Sequence, residues 1–188
     1  MSLQSHYMPS NLSDKFALGF TKFLRFLADT FFKKRYGHRA VVLETVAAVP
    51  GMVAGMLLHL KSLRKMQDDK GWIKILLDEA ENERMHLMTF IHIAKPTLIE
   101  RIIIMIAQFI FIITYAIIFI ASQRTAHRIV GYFEEEAVRS YTEYLNELET
   151  GKIKNIPAPE IAINYWNLPL NATLKDVVKV IRDDEAGH

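Results

Sequence analysis

Four segments of this 188-residue chain set a glutamate where an apolar helical pattern would otherwise continue. Glu44 lies in VVLETVAAVPG, Glu83 and His86 in EAENERMHLM, Glu134 in GYFEEEAVRSYT, and Glu185 and His188 in RDDEAGH. In order they read Glu, Glu-x-x-His, Glu, Glu-x-x-His, and the acids of each half are 39 and 51 residues apart. Positions i and i+3 share a face of an α-helix, so each Glu-x-x-His turns both side chains the same way. Two such pairs with two bridging carboxylates supply six ligands for two iron ions. Hard carboxylate oxygen with one imidazole per metal leaves positions open for dioxygen. This is the ligand order of the four-helix di-iron carboxylate proteins. A single Glu-x-x-His is ordinarily a solvated helix pair, but two of them, each preceded by a lone Glu on a separate apolar helix, are not. Glu44 is the most telling member. An unpartnered carboxylate buried in VVLETVAAV would cost several kcal/mol, and a bound cation removes that cost.

Helices must carry these side chains to one centre, and the pattern supplies them. The first dozen residues, MSLQSHYMPSNL, are polar and without period, and read as a flexible tail that is neither a secretory signal nor an Arg- and Ser-rich transit peptide. From Ser13, which is suited to cap a helix, Phe16, Phe20, Phe23, Phe26 (or Leu27) and Thr30 recur every third or fourth residue. Lys15, Lys22, Arg25 and the run Lys33, Lys34, Arg35 fill the other side and the end. That composition fits a helix lying in a membrane interface or an ordinary surface helix packed on a core. Gly37 is expected to break it. A second helix runs from about Arg39 to Met66 with a kink expected at Pro50, which lacks an amide hydrogen. After a turn at Asp68 to Gly71, a third runs from Trp72 to Ile93 and stops before Pro96. A fourth, Thr97 to Gln123, contains Ile102 to Ala121, twenty residues without a formal charge. By hydropathy it is a transmembrane candidate. Gln108, Thr114 and Tyr115 interrupt it, and Glu100 and Arg101 precede it, which also fits a deeply embedded or core helix. A fifth helix spans Ala126 to Glu149, an irregular stretch with Pro157, Pro159 and Pro169 follows, and a sixth runs from Asp176, capped near Thr173. No segment alternates as a strand does, so the chain reads as all-α, with residues 13–188 forming one domain.

Composition narrows the chemistry further. With 51% of residues apolar and 23% charged, the chain is neither disordered nor fibrous. Lys plus Arg number 23 against 21 Asp plus Glu, so no basic excess points to nucleic acid. The absence of cysteine excludes disulfides, zinc fingers, thiolate-held clusters and thiol catalysis. Any metal must therefore be held by His, Asp, Glu or backbone oxygen.

LETVAAVPGMV, NERMHLM, FEEEAVRSYT and RDDEAGH resemble the four signature segments of the alternative oxidase family, the cyanide-insensitive ubiquinol oxidases. The resemblance runs from about Arg25 to His188. It implies a ferritin-like four-helix bundle with a di-iron carboxylate centre, plus two additional helices forming a membrane-facing surface in one leaflet. The implied activity takes electrons from ubiquinol and reduces dioxygen to water without pumping protons. The implied setting is monotopic, on the matrix face of the mitochondrial inner membrane or on a bacterial inner membrane. Carried over by position, Glu44, Glu83, His86, Glu134, Glu185 and His188 are the iron ligands, although in this family the His residues often lie at hydrogen-bonding distance instead. Tyr141, seven residues after Glu134 and on its face, matches the redox-active tyrosine beside the irons. Arg39, Leu43, Ala137 and Ser140 match the quinol cavity, with Arg25 and Asp29 at its mouth. Arg25 and Asp29 fit equally an i,i+4 surface pair worth a few tenths of a kcal/mol. Asn82, His127, Tyr165, Trp166 and Asp184 are the candidates for orienting the ligands. Gly51-x-x-x-Gly55 permits close helix approach, and the family dimerises through its second and third helices, so a homodimer is expected.

The sequence departs from the family in three places. Members continue past the final His, so that here a terminal carboxylate would stand beside the sixth ligand. Ser140 replaces the commoner Thr, and without cysteine the thiol and 2-oxo-acid regulation of plant members cannot operate. Three other readings remain at this point: a di-iron quinone hydroxylase or desaturase, a ferritin-like ferroxidase, and a metal-free membrane scaffold. The Tyr141 position and the Arg39 pocket argue against the first, and Ile102 to Ala121 against the second.

Overall fold

The computed structural model describes residues 6–32 and 35–187. Among them are seven α-helices and no strand: α1 Leu12–Phe32, α2 Tyr36–Lys65, α3 Trp72–Ala94, α4 Leu98–Ala121, α5 Gln123–Glu149, α6 Glu160–Trp166 and α7 Leu174–Glu185. An isolated antiparallel bridge joins Pro157 to Thr173. The chain is all-α, as its periodicity requires, and the four acid-bearing segments fall on α2, α3, α5 and α7.

Three boundaries differ from the sequence pattern. Gly37 does not end the first helix; it sits in the first turn of α2, where the open backbone lets Ala94 and Tyr144 pack close. Ser13 is not the cap of α1. Asn11 Oδ1 accepts the Asp14 amide at 3.0 Å, and Ser13 instead bonds Thr125 Oγ1 at 2.7 Å. The stretch between α5 and α7 holds the extra helix α6, because Pro159 acts there as a cap and not as a breaker. Thr173 caps α7 as expected, in a reciprocal box with Asp176.

The longest packing contact joins α2 to α3, while α1 and α7 lie against α5, and α4 against α2. Gly51 is what lets α2 and α3 approach: a Cβ there would collide with the Leu76 carbonyl and stand 3.0 Å from Ala80 Cβ. The Gly51 and Gly55 pair is thus used within the chain. Two apolar cores result. One gathers Val41, Phe90, Tyr141, Tyr144, Val177 and Ile181, and the other Val49, Val53, Leu76, Phe111, Tyr115 and Phe119. Along α2, Glu44 lies between them.

The outer helices settle how the first helix faces. α1 buries small or polar residues, Asp14, Ala17, Thr21 and Ala28, and turns Leu12, Phe16, Phe23, Phe26 and Phe31 outward. On α4 the stripe Ile104, Phe111, Tyr115 and Phe119 is buried, while Ile102, Met105, Ile106, Phe109, Ile113, Ile117 and Ile120 are exposed. Their large apolar side chains point away from the protein.

Candidate metal centre

α2, α3 and α7 bring Glu44, Glu83, His86 and Glu185 together, all buried, with one ligand atom of each within 4.8 Å of every other. His86 Nδ1 lies 3.4 Å from Glu44 Oε2, 3.5 Å from Glu83 Oε2 and 3.3 Å from Glu185 Oε1. Its other nitrogen, Nε2, is 3.3 Å from Asp184 Oδ2. That carboxylate also accepts Trp166 Nε1 at 2.8 Å and Asn82 Nδ2 at 3.2 Å, and Asn82 donates to Tyr165 Oη at 3.2 Å. The Trp166 ring stacks on the imidazole at 5.8 Å. With Nε2 committed to Asp184, Nδ1 is the nitrogen turned toward the carboxylates.

The electrostatics call for a cation. Burial pushes Glu44 well above the usual carboxylate range, and the Glu83 charge adds to it. Glu185 is pushed up by burial and then by Glu83, Glu134 and Glu44. Burial pulls His86 down, but Asp184, Glu185, Glu44 and Glu83 outweigh it and hold the imidazole well above its usual range. Glu44 Oε2 and His86 Nδ1 are buried without an aligned hydrogen bond. Oxygen-rich donors with one imidazole, wholly out of water and carrying excess negative charge, fit divalent metal. The cluster could hold a metal centre.

Glu134 of α5 lines the cavity beside Glu44, Tyr141 and Glu185. It falls outside the closest foursome but near enough to raise Glu185. His188 lies outside the described residues. Tyr141 is buried, donates its hydroxyl to Glu44 Oε1 and stacks on Phe90 at 5.7 Å with the rings 9° from parallel. His127 is not brought to the centre. It is exposed near the start of α5, edge-on to Phe119, because its position belongs to the outer turn of that helix.

A cavity of about 510 Å³ leads from the cluster to the surface. Leu43, Glu44, Glu134, Ala137, Ser140, Tyr141 and Glu185 line its inner part. Phe23 and Phe31 of α1 and Ile103 and Ile110 of α4, which are also exposed, line its outer part, so it opens onto the apolar face. Buried Arg39 is fixed on its wall: one terminal nitrogen donates to Asp29 Oδ1 at 2.7 Å and the other to Ser140 Oγ. Arg25 meets Asp29 at 3.3 Å, but its closer partner is Glu136, with Glu143 at 3.7 Å. The Arg25–Asp29 pair is therefore part of a network joining α1, α2 and α5. Glu136 escaped the sequence reading, and its place two residues after Glu134 was the available signal. Between them, Glu135 accepts the Tyr7 amide at 2.9 Å and contacts His6 Nδ1 at 2.6 Å. Three successive glutamates thus serve the cluster, the amino-terminal segment and the cavity mouth.

The Alternative oxidase family profile matches residues 2–188. The chain belongs to the alternative oxidase family. Over its full 188 residues it is 58% identical to "Alternative oxidase 3, mitochondrial" of Glycine max, covering 58% of that protein. It is 57% identical to "Ubiquinol oxidase, mitochondrial" of Mangifera indica and covers 59% of it. Against "Ubiquinol oxidase 2, mitochondrial" of Arabidopsis thaliana it is 57% identical and covers 53%. The chain thus spans a little over half the length of these alternative oxidase relatives.

Proposed function

We propose that this chain is a ubiquinol oxidase that passes electrons from ubiquinol to dioxygen, forming water at a di-iron centre without moving protons across the membrane. The observation that carries this reading is the cavity that joins a buried carboxylate cluster to an outward apolar face. Glu44, Glu83, Glu134 and Glu185, with His86 and His188, would hold the two iron ions, which when bound supply dioxygen binding and one-electron steps.

The chain's own residues do the rest. An apolar quinol reaches the cavity from lipid, past α1 and α4. Arg39, held by Asp29 and Ser140, presents a fixed guanidinium to a ring oxygen and sets the quinol's orientation. The Arg25 network keeps the mouth in register with α5. Tyr141 can yield one electron and one proton, and Glu44 Oε1 stands ready to take that proton. Asp184, Trp166, Asn82 and Tyr165 hold the His86 ring.

The exposed faces of α1 and α4 support a monotopic seat in one leaflet, on the matrix side of the mitochondrial inner membrane or on a bacterial inner membrane. Met52, Met56, Leu60 and Leu63 form an exposed stripe on α2, beside Trp72 and Ile75 of α3, which supports a homodimer through those helices. Residues 13–188 act as one oxidase domain. The flexible tail expected before it does not hold for its described part, since His6 and Tyr7 are held against Glu135 and Leu12 already belongs to α1.

Membranes carrying the chain should oxidise quinol in the presence of cyanide, and Tyr141→Phe and Glu134→Ala should reduce that rate to background. Oxygen uptake with a hydroxylated quinone as product, or purified protein without iron, would overturn the proposal.

A further inference from the structure

A line of stacked rings leaves Tyr141 and runs away from the metal cluster. Tyr141 stacks on Phe90 at 5.7 Å, Phe90 on Tyr144 at 6.4 Å, and Tyr144 on Tyr36 at 5.1 Å, with interplanar angles of 9°, 30° and 18°. Every step lies within aromatic contact distance. The line crosses three helices: Tyr36 sits on α2, Phe90 on α3, and Tyr141 and Tyr144 on α5. Phe90 is fully buried and Tyr144 nearly so, while Tyr36 is half-buried. All three tyrosines line the cavity, and Tyr36 lies near its edge under the Arg39 guanidinium, 5.1 Å from the ring centroid. Ordinary core packing needs stacked rings but no phenol at both ends. Another stacked run among the described residues, Phe16, Phe20, Phe111 and Tyr115, has no member bonded to the cluster.

We propose that Tyr144 and Tyr36, coupled to Tyr141 through the Phe90 ring, are an electron-supply line that refills an oxidised Tyr141 from the cavity edge. This rests on the oxidase reading, which supplies dioxygen as the oxidant. When Tyr141 has lost an electron and its proton and no quinol is at hand, one electron passes from Tyr144 across Phe90. Tyr141 recovers its proton from Glu44, and Tyr144 sheds its own to water in the cavity. Tyr36 then reduces Tyr144 in the same way, and the missing electron comes to rest on Tyr36. A quinol entering the cavity restores Tyr36 by giving one electron and one proton. Phe90 gains and loses nothing; it carries the coupling. Burial pushes Tyr144 up to about 12, so it enters each step as the neutral phenol.

The test mixes iron(II)-loaded protein with dioxygen in the absence of quinol, freezes samples at intervals and follows tyrosyl radicals by electron paramagnetic resonance. Wild type should show a Tyr141 signal giving way to a second one, with oxidation products at Tyr36 found by peptide mass spectrometry. Tyr144→Phe, which keeps the ring and its packing, should confine the signal to Tyr141, lengthen its life several-fold and spare Tyr36. Tyr36→Phe should let the signal reach Tyr144 and stop there. Unchanged lifetimes and Tyr36 products in Tyr144→Phe overturn the line while leaving Tyr141 in its role. A signal that survives Tyr141→Phe, or no signal in wild type, overturns the line together with the redox role of Tyr141.

Discussion

α2 and α4 are both long and apolar enough to cross a bilayer, yet they meet opposite fates. Their most apolar windows have mean hydropathies of 1.9 and 2.7, but 56% of the α2 window is buried in the protein against 22% for α4. Hydropathy counts how much a helix dislikes water; it says nothing about what covers the helix. α2 is covered because its small residues, Ala48, Gly51, Ala54 and Gly55, admit neighbours, and the space so enclosed holds an acid. α4 carries bulky Ile and Phe all round, and only one stripe of them finds protein. Small residues that admit neighbours, and the carboxylate they enclose, separate α2 from the outward-facing α4.

The sharpest way to break that contrast is Glu44→Leu, which takes the acid out of α2. Quinol oxidation should fall to background, while the chelated, metal-free protein should melt higher than wild type, since a desolvated carboxyl group whose Oε2 lacks an aligned hydrogen bond has been replaced by an apolar side chain. A lower melting temperature for the chelated variant would mean that Glu44 is no burden without metal. Next comes a pair on α4 itself. Phe111→Ala should cost about 3–5 kcal/mol of stability in detergent. Phe109→Ala, two residues away on the outward face, should stay within about 0.5 kcal/mol. Equal losses in denaturant titrations would show that the outer face is covered after all. Gly51→Ala should cost about 1–3 kcal/mol by forcing α2 from α3. Calorimetry should record this as a lower melting temperature together with weaker iron retention.

The smallest effect is a pH slope. In the metal-free fold Glu44 and Glu185 are raised above their unfolded value of 4.5, and His86 above 6.5. The folded state therefore binds more protons than the unfolded chain, and its stability declines as pH rises from the ordinary carboxylate range through the raised values. Metal binding displaces those protons, so loaded protein should lack the slope. Parallel melting curves for loaded and chelated protein would contradict this origin.

The helices, the Glu and Glu-x-x-His order and the Tyr141 position were legible because each rests on spacing along one helix. His86 meeting Asp184, and Arg39 meeting Asp29 and Ser140, were reachable only by carrying positions over from a family, since pairs between helices leave no periodic trace. His127 failed for the same reason: being polar near an active helix says nothing about which way a side chain turns. Glu136 and the stacked rings went unnoticed because contacts across helix pairs decide them. α6 was missed because seven residues between prolines give no period to read. The outward face of α1 could not be chosen from composition, since a Phe stripe serves a core and a lipid surface equally.

Glu134, Glu135 and Glu136 point α5 in three directions at once, and each successive residue of a helix turns the bearing by about 100°. Together they act as a compass fix on the helix axis. Deleting one residue upstream within α5 would swing all three needles, trading the inward acid for one meant for the amino-terminal segment, and adding one would bring Phe133 inward instead. The middle of α5 must therefore keep its count.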